Sequence, residues 1–177
     1  MTTIYGTNSN DILEPAVEFF LTDPGPTYYN DTIYGYAGND TLRGKEGDDN
    51  LFGGYGDDDL FGGSGDDYLD GGGFSDEIDY LTGGSGFDTF VIGDSTGVGY
   101  LGGYDYLTNT DGSYALITDF SAADDLIQAY AGASYSLGYG DWYGGSALDT
   151  GIYTGGDLLA VVQDTTNVDF GRDFLFV

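Results

Sequence analysis

The sequence predicts an all-β chain, a serial repeat of short strands and glycine-rich turns followed by a β-rich C-terminal region. Three observations carry this. An aliphatic residue recurs every nine positions at Ile33, Leu42, Leu51, Leu60 and Leu69. An aspartate stands two positions before each one, at Asp31, Asp40, Asp49, Asp58 and Asp67. Glycines open the loops between them, as in GKEGDDNLF (44–52), GGYGDDDLF (53–61) and GGSGDDYLD (62–70). A fixed period with a carboxylate and two or three glycines per unit is a metal-loop pattern repeated in series.

Each unit is numbered one to nine, with the aspartate sixth and the large apolar residue eighth. GTNSNDILE (6–14) is the first unit, with Asp11 and Leu13 in those places. PAVEFFLTDPGPTYY (15–29) then interrupts the series. Its Val17, Phe19, Phe20 and Leu21 lie between prolines, and we expect it to fold over the open first coil as a cap, as solenoid ends require. The period resumes at Asn30–Tyr34 and runs through GYAGNDTLR (35–43) into the three units above. GGGFSDEID (71–79) keeps register through Asp76 and Ile78, but Tyr80-Leu81-Thr82 adds three residues, so Asp79 and Leu81 fit the sixth and eighth places as well. Both aspartates stay candidates. GGSGFDTFV (83–91) closes the series with Asp88 and Phe90.

The 177 residues carry 31 acidic side chains against three basic ones, a formal charge of −28, with no histidine. Nucleic acid is excluded as a partner, because phosphate binding needs the Lys and Arg that are missing. The acids are almost all aspartate, the glutamates being Glu14, Glu18, Glu46 and Glu77. Aspartate beside glycine indicates tight turns carrying short, well-placed carboxylates. Without cysteine, neither disulfides nor thiolate metal sites can form. MTTIYGTNSND has no basic start and no apolar stretch, so export would use a route that reads no N-terminal signal. No apolar run is long enough to insert in a membrane. Such a charge with many glycines favours disorder. The 17 tyrosines, 11 phenylalanines and strict aliphatic spacing oppose it, so the expected state is ordered with cations and largely unfolded without them.

The pattern GGxGxDxUx, with U a large apolar residue, resembles the RTX nonapeptide of the hemolysin-type calcium-binding family. The resemblance covers 6–14 and 30–91, and is tightest over 35–70. It implies a right-handed parallel β-roll, a β-solenoid in which two nonapeptides make one coil. Each unit then stacks on the next but one. Asp31, Asp49 and Asp67 would line one edge, and Asp40, Asp58 and Asp76 the other. Stacked strands lie ~4.8 Å apart, where two unit charges repel by roughly 3 kcal/mol at an effective dielectric near 20. Asp48, Asp57, Asp59 and Asp66 add to that repulsion. Calcium resolves it, because it takes six to eight oxygens from carboxylates and carbonyls together. The expected carboxylate ligands to several calcium ions are Asp11, Asp31, Asp40, Asp49, Asp58, Asp67, Asp76 or Asp79, and Asp88. Loop carbonyls would complete the shells, from Gly35, Ala37, Gly44, Glu46, Gly53, Tyr55, Gly62, Ser64, Gly83 and Ser85. An EF-hand is excluded, since Phe61 falls where a third ligand is needed after Asp57 and Asp59.

Residues 1–91 thus read as a calcium-binding roll and 92–177 as a β-rich cap and secretion-signal region. The second part breaks into strands at 114–120, 126–130, 151–154, 158–163 and 173–177. ALITDFSAADDLIQ (115–128) resembles the block that follows the repeats in many RTX proteins, which implies a terminal calcium at Asp119 and Asp125. DFLFV (173–177) is similar to an uncleaved type I secretion signal, an acid followed by apolar residues, and so implies an extracellular or cell-surface protein. The leading functional reading is a secreted calcium-binding module without catalysis. The second is a matrix or sheath protein whose rolls stack end to end into homo-oligomers. Serine, cysteine and zinc hydrolase chemistry is out of reach without His or Cys. Ice binding would need a threonine ladder, and only GTNSND (6–11) has threonine at position two.

Overall fold

The computed structural model describes residues 3–7, 9, 11–14, 29–72, 77–100, 113–145 and 147–177. Residues 15–28 of the insertion 15–29, and Asp76, lie outside the described residues, and so do the expectations placed on them. Among the described residues every regular element is a strand. The first nine are β1 (Thr3–Tyr5), β2 (Ile12–Leu13), β3 (Thr32–Ala37), β4 (Thr41–Glu46), β5 (Asn50–Tyr55), β6 (Asp59–Ser64), β7 (Tyr68–Asp70), β8 (Ile78–Ser85) and β9 (Thr89–Val91). A small hairpin follows, β10 (Gly93–Asp94) and β11 (Gly97–Val98). The C-terminal half supplies β12 (Tyr114–Ile117), β13 (Leu126–Ala129), β14 (Tyr135–Gly140), β15 (Asp149–Thr154), β16 (Asp157–Val162) and β17 (Phe174–Phe176).

Consecutive strands of the repeat alternate between two sheets. One sheet runs β1-β3-β5-β7-β9-β13-β17 and the other β14-β15-β16-β12-β8-β6-β4-β2. All neighbours within the repeat pair in parallel, and Ile33 lies against Leu51, Leu51 against Leu69 and Leu42 against Leu60. That 18-residue repeat of contacts is the parallel β-roll expected from the sequence. β3, β4, β5 and β6 run to six residues each. They reach position three of the next unit, and the pairing skips only the position-one glycine, as Gly35 between Tyr34 and Tyr36 shows.

Alternation along each strand turns the eighth residue inward. Ile33, Leu42, Leu51, Leu60, Leu69, Leu81 and Phe90 are all fully buried and form one column of core contacts. One aliphatic residue per unit is a thin core, and the outer face of the first sheet adds a row of aromatic rings. Tyr5 stacks on Tyr34 at 5.7 Å and Tyr34 on Phe52 at 4.9 Å between ring centres. At position two, Tyr36 and Lys45 are held at φ of 78° and 83°, where the stacked Gly54 and Gly63 carry no side-chain penalty.

The three-residue shift in register falls ahead of Tyr80, because Asp59 pairs with Tyr80, Leu60 with Leu81 and Phe61 with Thr82, each across 21 residues. The sixth place of that unit therefore belongs to Asp79. The sheets do not stop at residue 91. β12 continues from β8 and β13 from β9, again in parallel, while β14–β15–β16 at the end of the second sheet turns antiparallel. Four of the five C-terminal strands expected from sequence coincide with β12, β13, β16 and β17, and a fifth lies inside β15. β14, YSLGYG, was hidden by its glycines.

Candidate metal centre

The nonapeptide turns lie along two edges of the roll, where the chain passes from one sheet to the other. Along the first edge the stacked aspartates are Asp11, Asp40, Asp58 and Asp79. Along the second they are Asp31, Asp49, Asp67 and Asp88, with Asp125 of the C-terminal half above them. Each Oδ1 accepts the backbone N–H of the aspartate one coil below. On the first edge Asp11 N–H donates to Asp40 at 2.6 Å, Asp40 to Asp58 at 2.7 Å and Asp58 to Asp79 at 2.9 Å. On the second edge Asp31 donates to Asp49 at 2.7 Å, Asp49 to Asp67 at 2.8 Å, Asp67 to Asp88 at 3.0 Å and Asp88 to Asp125 at 3.0 Å. These bonds hold the carboxylates rigidly in line and bury them, since Asp31, Asp40, Asp49, Asp58, Asp67, Asp79 and Asp88 are all buried.

The second oxygen decides the chemistry. Oδ2 of Asp40, Asp49, Asp58 and Asp67 is buried and has no hydrogen-bond partner. A buried carboxylate oxygen without a donor or cation is costly. Each of these four oxygens lies over the position-one glycine of its own unit, beside the carbonyl of the glycine one coil above. A methyl group on Gly35 would stand 2.5 Å from both Asp40 Oδ2 and Gly53 O. On Gly44, Gly53 and Gly62 it would collide with Oδ2 of Asp49, Asp58 and Asp67, and would stand 2.7 Å from the carbonyls of Gly62, Gly71 and Gly83. Four equivalent slots result, each with an unsatisfied carboxylate oxygen and a glycine carbonyl. Among the described residues no three carboxylates gather at one point. The donor set is therefore mixed, as calcium accepts and as zinc or a transition metal does not favour.

The structure gathers the expected ligands unevenly. The carbonyls of Gly53, Gly62 and Gly83 line slots, while that of Gly35 packs on Gly6. Gly71, outside the expected set, takes the same role in the slot of Asp58. Gly44 stands at position one of its unit within β4, and Ala37 and Glu46 at position three, the last residues of β3 and β4. The position-three carbonyls of Tyr55, Ser64 and Ser85 accept N–H bonds from Gly38, Gly47 and Gly65 at 2.8, 2.8 and 2.9 Å. A carbonyl has two lone pairs, so each keeps one for an ion. Asp11, at the start of the series, already has Oδ2 occupied by the Thr7 N–H at 2.7 Å and the Thr7 hydroxyl at 2.8 Å. Asp79 is bonded by the Tyr100 hydroxyl at 2.7 Å. Asp125 accepts the Ser121 N–H on Oδ2 at 2.7 Å, and Asp119 accepts both Gly83 and Gly84 N–H at 2.9 Å.

The additional acids form a second row outside the first. Asp48 N–H donates to Asn30 at 3.1 Å, Asp66 N–H to Asp48 at 3.0 Å and Phe87 N–H to Asp66 at 2.9 Å. On the other edge Asp57 N–H donates to Asn39 at 3.3 Å and Ile78 N–H to Asp57 at 2.9 Å. Asp48, Asp57 and Asp66 thus tie one coil to the next besides adding charge.

Burial pushes the inner carboxyls up against the pull of their backbone N–H bonds, and neighbouring carboxylates add to the rise. Asp40 moves above the ordinary range, Asp49 and Asp88 rise to about 6, and Asp58 and Asp67 to about 7. Raised carboxyls mean that the folded, metal-free chain holds more protons than the unfolded chain. Its stability is highest near the unfolded value of 3.8 and falls as pH rises through about 6–7. Calcium entry near pH 6 is then expected to expel protons, and the apparent affinity to drop on acidification from about pH 7.5 to 5.5. Calorimetric titration in two buffers of different ionisation enthalpy reads this directly; equal heats in both would contradict it.

No curated protein matches the chain. A similar solved structure is the AlgE6R3 subunit of the mannuronan C5-epimerase from Azotobacter vinelandii, 21% identical, with a TM-score of 0.49 over 97% of this chain and 81% of that one. The model of the RTX calcium-binding nonapeptide repeat matches residues 27–51, 43–78 and 75–91, in four copies. The stacked turns that hold Asp31, Asp40, Asp49, Asp58, Asp67, Asp79 and Asp88 lie within this match and are similar to RTX calcium-binding nonapeptide repeats.

Proposed function

We propose that the chain is an extracellular, non-catalytic module whose roll folds when calcium fills the slots between its stacked turns. The observation that carries this is the set of four buried Oδ2 atoms without partners, on Asp40, Asp49, Asp58 and Asp67. In this reading those four aspartates, with the carbonyls of Gly53, Gly62, Gly71 and Gly83, form the principal sites. Asp31 and Asp88 serve at the outer coils of the second edge. Position-three carbonyls and water complete each shell, since calcium needs six to eight oxygens. Residues 92–177 act as the cap that closes the roll, and the calcium-poor cytosol would keep the chain unfolded until export. A calcium-free interior followed by a calcium-rich exterior fits metal binding that is itself folding free energy. The absence of His and Cys leaves most hydrolytic chemistry without a nucleophile–base pair.

The slots can be closed without changing charge. Gly44→Ala or Gly62→Ala puts a methyl group where an ion would sit, and neither glycine has a left-handed φ to lose. Each substitution is expected to reduce the calcium count by one in native mass spectrometry while leaving charge and core intact. An unchanged count in both would remove the ions from these slots.

A second reading is favoured by the ends of the first sheet. Among the described residues β1 and β17 are its two edge strands, with Tyr5 exposed on β1, Leu175 and Phe176 on β17 and Val177 just beyond it. Two copies could pair β17 on β1 head to tail, which builds an open filament and not a closed ring. Sedimentation velocity with calcium separates the readings: a single monomer boundary at millimolar calcium rejects assembly, and a growing distribution of sizes supports it.

A further inference from the structure

The slot formed by Gly71 and Asp79 belongs to the same column as those of Asp40 and Asp58, but a side chain enters it from outside the repeat. A methyl group on Gly71 would collide with Asp79 Oδ2, as at the other slots, and also with the Tyr100 hydroxyl in place of a glycine carbonyl. The hydroxyl donates to Asp79 Oδ2 at 2.7 Å, while Oδ1 keeps the Asp58 N–H at 2.9 Å. Among the described residues, Asp79 is thereby the one fully buried aspartate of this edge whose outer oxygen has a protein donor, whereas Asp40 and Asp58 have none. Tyr100 is itself 1% exposed and is among the largest side chains of the core. A buried phenol needs an acceptor for its O–H, and here the carboxylate accepts that hydrogen bond.

We propose that Tyr100 is a plug that stands in for the last ion and ends the column on this edge. The inference rests on the calcium reading of the slots and adds a limit to it. An ion needs oxygens from the coil above as well as from its own. Here the Tyr100 hydroxyl fills the space that an ion and its waters would take, and as a neutral donor it satisfies the carboxylate while it stands there. The same solution appears with other chemistry at Asp11, closed by Thr7, and at Asp125, closed by the Ser121 N–H. Tyr100 differs in reaching its aspartate across 21 residues, so its placement also pins the segment after β11 to the roll.

The test is the calcium count of Tyr100→Phe against the parent chain by native mass spectrometry. Removing the hydroxyl leaves Asp79 Oδ2 without a donor and frees the space, so the variant is expected to take up one more ion. A count that stays the same or falls by one overturns the plug. Because the variant can lose stability, a second measurement uses the parent protein. Anomalous scattering from crystals grown with calcium is expected to show no ion within about 2.6 Å of Asp79 Oδ2, and an ion there overturns the proposal. A parent chain that binds no calcium at all would defeat the reading of the four slots, which is a separate result from either of these.

Discussion

Stripping calcium with a chelator at neutral pH is expected to abolish most of the strand signal of this protein, and restoring calcium to bring it back. The magnitude follows from linkage. One site held at a hundred times its dissociation constant stabilises the fold by about 2.7 kcal/mol. Four such sites acting independently would contribute about 11 kcal/mol, which is as large as the whole stability of an ordinary domain, roughly 5–15 kcal/mol. The rest of the roll cannot replace that. Its repeat buries one large apolar side chain per unit, and the 33 glycines of the chain lose more backbone freedom on ordering than any other residue. Circular dichroism through a cycle of chelation and calcium addition measures the effect. A strand spectrum of equal strength in both states would contradict it.

The second large effect is a change of state by neutralisation. Replacing Asp40, Asp49, Asp58 and Asp67 together by asparagine is expected to yield a chain that folds without calcium and no longer responds to it. The amide keeps the Oδ1 acceptor that receives the N–H of the coil below. It removes the stacked negative charges, and its NH2 meets the glycine carbonyl that lines the same slot. The expected readouts are a calcium count lower by four and a strand spectrum that is present in chelator. A variant that stays unfolded in chelator, yet still gains strand signal with calcium, would show that the ions act elsewhere, on the outer row of Asp48, Asp57 and Asp66 or in the C-terminal half.

Much of this was legible in the chain because the repeat states its own geometry. A nine-residue period with Asp sixth and Leu eighth fixes which side chains turn inward and which sit at the edges, and Leu42, Leu51, Leu60 and Leu69 occupy the core as their positions require. Where the period is broken, sequence alone does not choose. Asp76 and Asp79 fit the pattern equally until the pairing of Leu60 with Leu81 selects Asp79. Gly71 is not marked as a ligand by the sequence for the same reason, since it belongs to the irregular unit yet lends its carbonyl to the regular one below. The acids at position five read as surplus charge, because a side-chain bond to a neighbouring coil leaves no mark in composition. Asn30 and Asn39 at the same position were the available sign, as an amide there serves the same bond. Tyr100 had no signal at all: a single tyrosine among 17, outside the repeat, becomes informative only once its hydroxyl is seen against Asp79. Beyond residue 91 the period fades from the sequence while the two sheets continue, because β12 and β13 follow the template of β8 and β9 and no longer depend on glycine turns.

Crystals grown in excess calcium, with data collected where calcium scatters anomalously, test the central idea most directly. Peaks are expected at about 2.3–2.6 Å from Oδ2 of Asp40, Asp49, Asp58 and Asp67, each shared with the carbonyl of Gly53, Gly62, Gly71 or Gly83. A map in which those inner positions hold no ion, while the roll is fully ordered, would contradict it.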